Sequence, residues 1–209
     1  MEADEGPESG RGGSGAPSEG TDSWKLYVYD LLSSVVIVAL IGGLLFTASG
    51  VWPPMVAVES GSMNPEMERG DLVYVMETER FAGPDAEAGV VTAAAGEENG
   101  YERFAAPGDV IVFEPGGDSR TTPIIHRAMF WVEAGENWYD RADESAVNGD
   151  SCREIRNCPA PHAGFITKGD ANRGYDQVTQ GRTGPVKPEW VIGTAELYVP
   201  YLGQIRLGV

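Results

Sequence analysis

LLSSVVIVALIGGLLFTA, residues 31–48, is the stretch on which the reading of the fold turns. About 20 apolar residues in a helix cross the roughly 30 Å hydrocarbon layer of a bilayer, and here no charge occurs from residue 31 to residue 58. Before the run stand Trp24, Lys25, Tyr27 and Tyr29, an interfacial aromatic belt with a snorkelling lysine. After it, Trp52-Pro53-Pro54 ends the helix at the opposite interface. A cleaved signal peptide is the competing reading. The tail before the run is long and acidic, and the run exceeds the usual signal core of about 7–15 residues, so an uncleaved anchor over residues 24–52 is expected. Residues 1–23, built of Gly, Ser, Pro, Glu and Asp, lack the apolar surface to offset the entropy of ordering and read as a disordered acidic tail. Lys25 precedes the span and no Lys or Arg follows until Arg69. That asymmetry predicts a single-pass cell-membrane protein with a cytoplasmic tail and an extracytoplasmic domain.

Beyond the anchor the pattern changes to short β-branched and aromatic runs punctuated by glycine. Strands are expected over residues 56–58, 71–76, 110–113, 123–132, 165–168 and 191–199. No helical period is visible after the anchor. The fold expected for residues 53–209 is therefore mainly β, a twisted and partly barrel-like domain. Two long insertions interrupt it. Residues 77–107, rich in Ala, Gly and Glu, read as an exposed insertion, and residues 133–161 are polar and carry both cysteines. Residues 115–118 form a turn, and residues 200–209 are apolar but too short for a second span.

The net charge is −17, from 32 acidic and 15 basic residues, which excludes a nucleic-acid partner on electrostatic grounds. Lysine is limited to Lys25, Lys168 and Lys187. Acidity spread along the chain with scarce lysine is the composition of proteins that work in concentrated salt, so a halophilic origin is expected. Cys152 and Cys158 cannot complete a zinc site unless His162 and a further ligand join them. A small disulfide loop suits an extracytoplasmic location better, and no metal or cofactor is expected.

The chemistry-bearing stretch is Ser60-Gly61-Ser62-Met63-Asn64-Pro65, closed by Gly70-Asp71. Ser62 has the setting of a nucleophile, and Ser60 is near enough to donate a hydrogen bond to a developing oxyanion. The same tripeptide is also common turn chemistry. A serine needs a base, and His126, His162 and the three lysines are the candidates among His and Lys. His126 lies within an expected strand. Lys168 adjoins Lys168-Gly169-Asp170-Ala171-Asn172-Arg173-Gly174-Tyr175-Asp176, and Ser–Lys dyads exist, so it is the rival base. His162, between Pro161 and Ala163, reads as a surface residue. Arg127 and Asp71 read as an ion pair or as strand-end residues.

Taken in order, the anchor, the serine box, Ile125-His126-Arg127 and the Gly-Asp box resemble type I signal peptidases of the branch found in archaea and the endoplasmic reticulum. The resemblance covers the anchor and most of residues 56–199. It implies Ser62 as nucleophile, with Ser60 and the Ser62 N–H as oxyanion donors. It further implies His126 as base, Asp176 as its acidic partner, and Asp170 as a second acid the site needs. The substrates implied are secretory preproteins cut after small residues of the Ala-x-Ala kind, beside the lipid membrane and with the translocation machinery as a further partner. The preprotein would lie as an extended strand along residues 56–58 and 123–125. Two other classes compete with it: a membrane-anchored β-domain that binds a partner without chemistry, and a self-cleaving Ser–Lys repressor protease. The second predicts a DNA-binding helix pair where this chain has an acidic tail and an anchor.

Overall fold

The computed structural model describes residues 23–178 and 183–207. The tail expected over residues 1–23 lies outside the described residues except for Ser23, which opens the first helix. The chain divides into two compact units, Met1–Gly43 and Leu44–Val209.

Helix α1 runs from Ser23 to Ser49. Its segment Trp24–Ser49 is long and apolar enough to cross a membrane, and among the described residues it is the one helix that is. Ser33 and Ser34 donate their hydroxyls to the Asp30 carbonyl at 2.9 and 2.7 Å. Two polar groups are thereby satisfied within the helix itself, as a lipid environment demands. Gly50 ends the helix in the left-handed region, φ 80°, with its N–H on the Phe46 carbonyl at 2.8 Å. The carbonyls orphaned at this end find donors within the second unit. Tyr74 Oη donates to Leu45 O at 3.2 Å, Arg80 donates to Thr47 O and Ala48 O, and Glu77 N–H donates to Ser49 O at 2.9 Å.

The second unit holds β1 (Met55–Ala57), β2 (Leu72–Met76), α2 (Ala93–Asn99), β3 (Glu102–Arg103), β4 (Ala106–Pro107), β5 (Val110–Phe113), β6 (Ile124–Val132), β7 (Gly164–Lys168), β8 (Val191–Val199) and α3 (Gln204–Leu207). Six strands form one antiparallel sheet in the order β1-β2-β8-β5-β6-β7, and β3 pairs with β4 in a separate hairpin. The mainly β reading is borne out, with the strands within a residue or two of their expected positions. The sheet runs open from β1 to β7.

The central strand β5 explains the packing. All four of its residues are buried. Alternation sends Val110 and Val112 into a core with Met63, Met67, Val73 and Val75, and Ile111 and Phe113 into another with Val90, Ala128 and Phe165. Each fully buried aliphatic or aromatic side chain contributes about 1.5–3 kcal/mol.

Both insertions depart from expectation. Residues 77–107 are not uniformly exposed, and a helix does follow the anchor: α2, capped by Thr92 Oγ1 accepting from Ala95 N–H at 3.2 Å and closed by Gly100 at φ 77°. Val90 and Val91 beside it are fully buried. The helix is seven residues long, too short to display a 3.6-residue period, so alanine propensity and the cap were its signals. Residues 133–161 are not merely a polar loop. They bury Trp138, Ala146, Ile155 and Ala160 against Phe130, Ile166 and Tyr175 in a third core. Trp138 Nε1–H donates to Asn157 O at 2.8 Å, which allows the indole to be wholly enclosed. Cys152 and Cys158 form a disulfide in this insertion, Cα–Cα 5.1 Å.

One irregularity in the pairing matters for function. β7 pairs with β6 only from Arg127 onward, whereas β5 pairs with residues Ile124 to Arg127. Residues 124–126 therefore have a ladder neighbour on one side only. The outer edge of β1 is also without a strand partner among the described residues.

Candidate active site

The serine box is a loop pinned at both ends. Val58 N–H donates to Asp71 O and Gly70 N–H to Val58 O, each at 2.9 Å, so the chain leaves β1 and returns to β2 through a narrow neck. Gly70 occupies φ 98°, a conformation suited to glycine. Asp71 closes the loop by accepting from Glu68 N–H at 2.9 Å and Tyr201 N–H at 3.1 Å. Met63 and Met67 are buried beneath it. The small residues between are left at the surface, with Ser62 half-buried and Ser60 exposed. The two hydroxyls lie 3.1 Å apart in a mutual hydrogen bond.

His126 is buried on β6. Its Nδ1 lies 2.6 Å from Asp176 Oδ2, and that same oxygen accepts the Thr167 hydroxyl at 2.7 Å. A carboxylate only accepts, so the imidazole carries its proton on Nδ1 and presents the Nε2 lone pair as a base. The Gly-Asp box brings Nε2 and the serine loop together. Ala171 N–H donates to Ser62 O at 2.9 Å. A methyl placed on Gly169 would stand 2.6 Å from Ser62 O and 2.9 Å from His126 Nε2. Ser60, Ser62, Met63 and His126 line one cavity of about 510 Å³ with Val56, Ala57, Pro123, Ile124 and Ile125. The Ser62 hydroxyl bonds Ser60, and the His126 imidazole bonds Asp176. Contacts between a nucleophile and its base are often long before substrate binds and tighten with it.

The other residues singled out from the sequence fall elsewhere. Asp170 does not reach His126. It forms a two-point ion pair with Arg127, Nε–Oδ1 2.9 Å and Nη2–Oδ2 2.6 Å. Arg127 Nη1 donates to the carbonyls of Arg103 at 3.0 Å and Gly108 at 2.8 Å, so the pair ties the Gly-Asp box to the β3–β4 hairpin. Arg127 is thus paired with Asp170 and not with Asp71. Lys168 Nζ donates to Asn172 O at 3.3 Å and does not line the cavity. His162 is half-buried, with its ring edge-on to Trp190 at 5.4 Å and Nδ1 on Ala163 O. Sequence reasoning missed Thr167, the second donor to Asp176. Its only local signal was a hydroxyl beside the Gly-Asp box.

A separate titrating group lies at the hairpin. Tyr101 donates to Asp109 Oδ1 at 2.9 Å, and Asp109 Oδ2 accepts Val91 N–H at 2.8 Å. Burial, followed by the Asp109 charge, pushes Tyr101 from 10.0 up to about 12, and burial also raises Asp109.

The chain is similar to signal peptidase complex catalytic subunits. It is 27% identical over 156 residues to subunit SEC11 of Eremothecium gossypii, a match that spans 74% of this chain and 64% of the relative. It is 25% identical over 181 residues to the corresponding subunit of Aspergillus oryzae, spanning 86% of this chain and 76% of the relative. Human SEC11C is 27% identical over 184 residues, 86% of this chain and 70% of the relative. No protein-family model matches the chain.

Proposed function

We propose that this protein is a membrane-anchored serine endopeptidase that removes signal peptides from secretory preproteins. Ser62 is the nucleophile, His126 the base, Asp176 the group that orients and charge-balances the imidazole, and Ser60 with the Ser62 N–H the oxyanion donors. The observation that carries this reading is the buried His126–Asp176 pair at 2.6 Å, with His126 in the wall of the cavity that Ser62 also lines. In the reaction His126 Nε2 takes the Ser62 proton as the oxygen attacks the scissile carbonyl, then returns it to the leaving amine. The similarity to catalytic subunits of signal peptidase complexes supports the same chemistry.

The substrate would enter as an extended strand. Supporting this are the two edges bordering the cavity: β1, open on its outer side, and residues 124–126, which lack a β7 partner. An added strand satisfies those backbone groups and delivers alternate side chains to the cavity. Cutting after small residues, a single-pass anchor over residues 24–52, an extracytoplasmic catalytic domain over residues 53–209, delivery of substrate by the translocation machinery and a halophilic archaeal source complete the proposal.

The test uses the full chain in detergent with a preprotein ending its signal in Ala-x-Ala. Ser62→Ala and His126→Ala are expected to abolish cleavage while Lys168→Ala keeps it. Full activity of His126→Ala would end the Ser–His assignment. Unhindered cutting after a bulky residue would count against the small-residue specificity.

A further inference from the structure

We propose that Gln177 is a positioning residue for the catalytic aspartate, acting through the Thr167 hydroxyl. The inference rests on the Ser62–His126–Asp176 reading above. Gln177 is fully buried. Its Oε1 accepts the Thr167 N–H at 2.9 Å. That N–H is an obligate donor, which settles the orientation of the amide and leaves Nε2 as the donor end. Nε2 donates to Thr167 Oγ1 at 3.2 Å and to Gly184 O at 3.2 Å. With a hydrogen bond arriving from Gln177, the threonine oxygen turns its one proton toward Asp176 Oδ2, 2.7 Å away. The polarity of the chain is therefore fixed in one direction, from the Gln177 amide to the Thr167 hydroxyl to the Asp176 carboxylate, whose Oδ2 also accepts the His126 Nδ1–H.

Two further contacts hold Gln177 in place. Asp176 N–H donates to Thr167 O at 2.9 Å, joining the loop to β7. Asn157, inside the disulfide loop, donates Nδ2–H to Gln177 O at 2.9 Å and to Thr183 O at 3.3 Å. In a chain of buried donors and acceptors, loss of one donor is felt at the far end. Without the Thr167 donor, the Asp176 charge faces the imidazole undivided. An undivided carboxylate charge favours the imidazolium over the neutral ring.

The experiment compares wild type with Gln177→Met, Gln177→Glu and Thr167→Val on one preprotein, measuring kcat and KM against pH. Gln177→Glu keeps the shape and the acceptor for Thr167 N–H while removing the amide donor, so it serves if the apolar replacement folds poorly. Each of the three is expected to lower kcat about tenfold with KM little changed and to move the acidic limb of the pH profile upward. The double variant Gln177→Met/Thr167→Val should fall no further than Thr167→Val alone, since both act through one hydroxyl. Thr167→Ser, which retains that hydroxyl, should keep the wild-type limb. Variants that lose thermal stability but leave the limb unmoved would make Gln177 a packing residue and overturn the inference. His126→Ala is assayed alongside: its full activity would remove the triad reading itself, a failure distinguishable from that of Gln177.

Discussion

Gly169→Ala is the sharpest perturbation the site offers, because one added methyl meets both halves of the machinery. Gly169 does not occupy the left-handed region, so the cost is steric. The added carbon would stand 2.6 Å from Ser62 O, 2.7 Å from Asn172 Nδ2 and 2.9 Å from His126 Nε2, against 3.4 Å for ordinary contact. Relief needs movements of about 0.8 Å at the serine carbonyl and about 0.5 Å at the imidazole, the differences between those values. The serine carbonyl has little freedom to give way, since it also accepts the Ala171 N–H from the same box. A displacement near 1 Å between nucleophile and base costs about 100-fold in rate. The expectation is a fall of about that size in kcat on a preprotein, with a smaller change in KM. Steady-state cleavage with purified protein in detergent measures it, and circular dichroism checks that the variant is folded. A folded Gly169→Ala enzyme with wild-type kcat would refute the convergence of Ser62 and His126 on this glycine.

Three other outcomes follow from features outside the catalytic contact. Asp170→Ala leaves the buried Arg127 guanidinium without its carboxylate and should destabilise the fold by about 3 kcal/mol, read from urea unfolding; a loss of kcat at unchanged stability would instead make Asp170 a participant in the chemistry. Tyr101, whose folded value is raised from 10.0 to about 12, contributes stability that is full below pH 10 and lost as pH rises toward 12, so Tyr101→Phe should flatten the alkaline loss of stability in that window, measured as urea midpoints against pH. With a net charge of −17, the thermal midpoint should rise with molar KCl, and a midpoint indifferent to salt would remove the case for halophilic adaptation.

The anchor and the strands were legible because each is written in local composition. An uncharged run of spanning length has few other uses, and β-branched runs between glycines carry their own period. The serine box, the His126 strand and the Gly-Asp box were legible as separate pieces. What could not be read was which side chain meets which. Arg127 and Asp170 are 43 residues apart, and nothing local to either selects that pairing over Asp71. Asp170 read as a second acid the site needs because it shares a box with Asp176, yet the five residues between them carry it to a different partner. Trp138 was hidden in a polar insertion because its enclosure depends on strands β6 and β7 and on the Asn157 carbonyl. Helix α2 is hidden for a different reason: alanine in an acidic, glycine-bearing stretch serves loops as well as helices, and one threonine cap at Thr92 does not separate the two.

The pairing of Ser60 with Ser62 gives the proposed site a feature that a serine bonded directly to its base would lack. At 3.1 Å either hydroxyl can be the donor. When Ser60 is the donor, the Ser62 proton is free to be taken by a base. In the proposed reaction Ser62 would give up that proton and bond the substrate carbon, releasing the Ser60 hydrogen. That hydrogen would then be available to the carbonyl oxygen on which charge develops. One hydrogen bond in the resting protein would thus become one oxyanion contact in the transition state. The scaffold allows this because the loop is rigid at its base, through Met63, Met67 and the Val58–Asp71 neck, and small at its tip. His126, by contrast, is fixed from behind by Asp176 and Thr167. In the proposed mechanism the hydroxyl is therefore the partner that turns and the imidazole the partner held in place, which keeps the site preorganised for the developing charge.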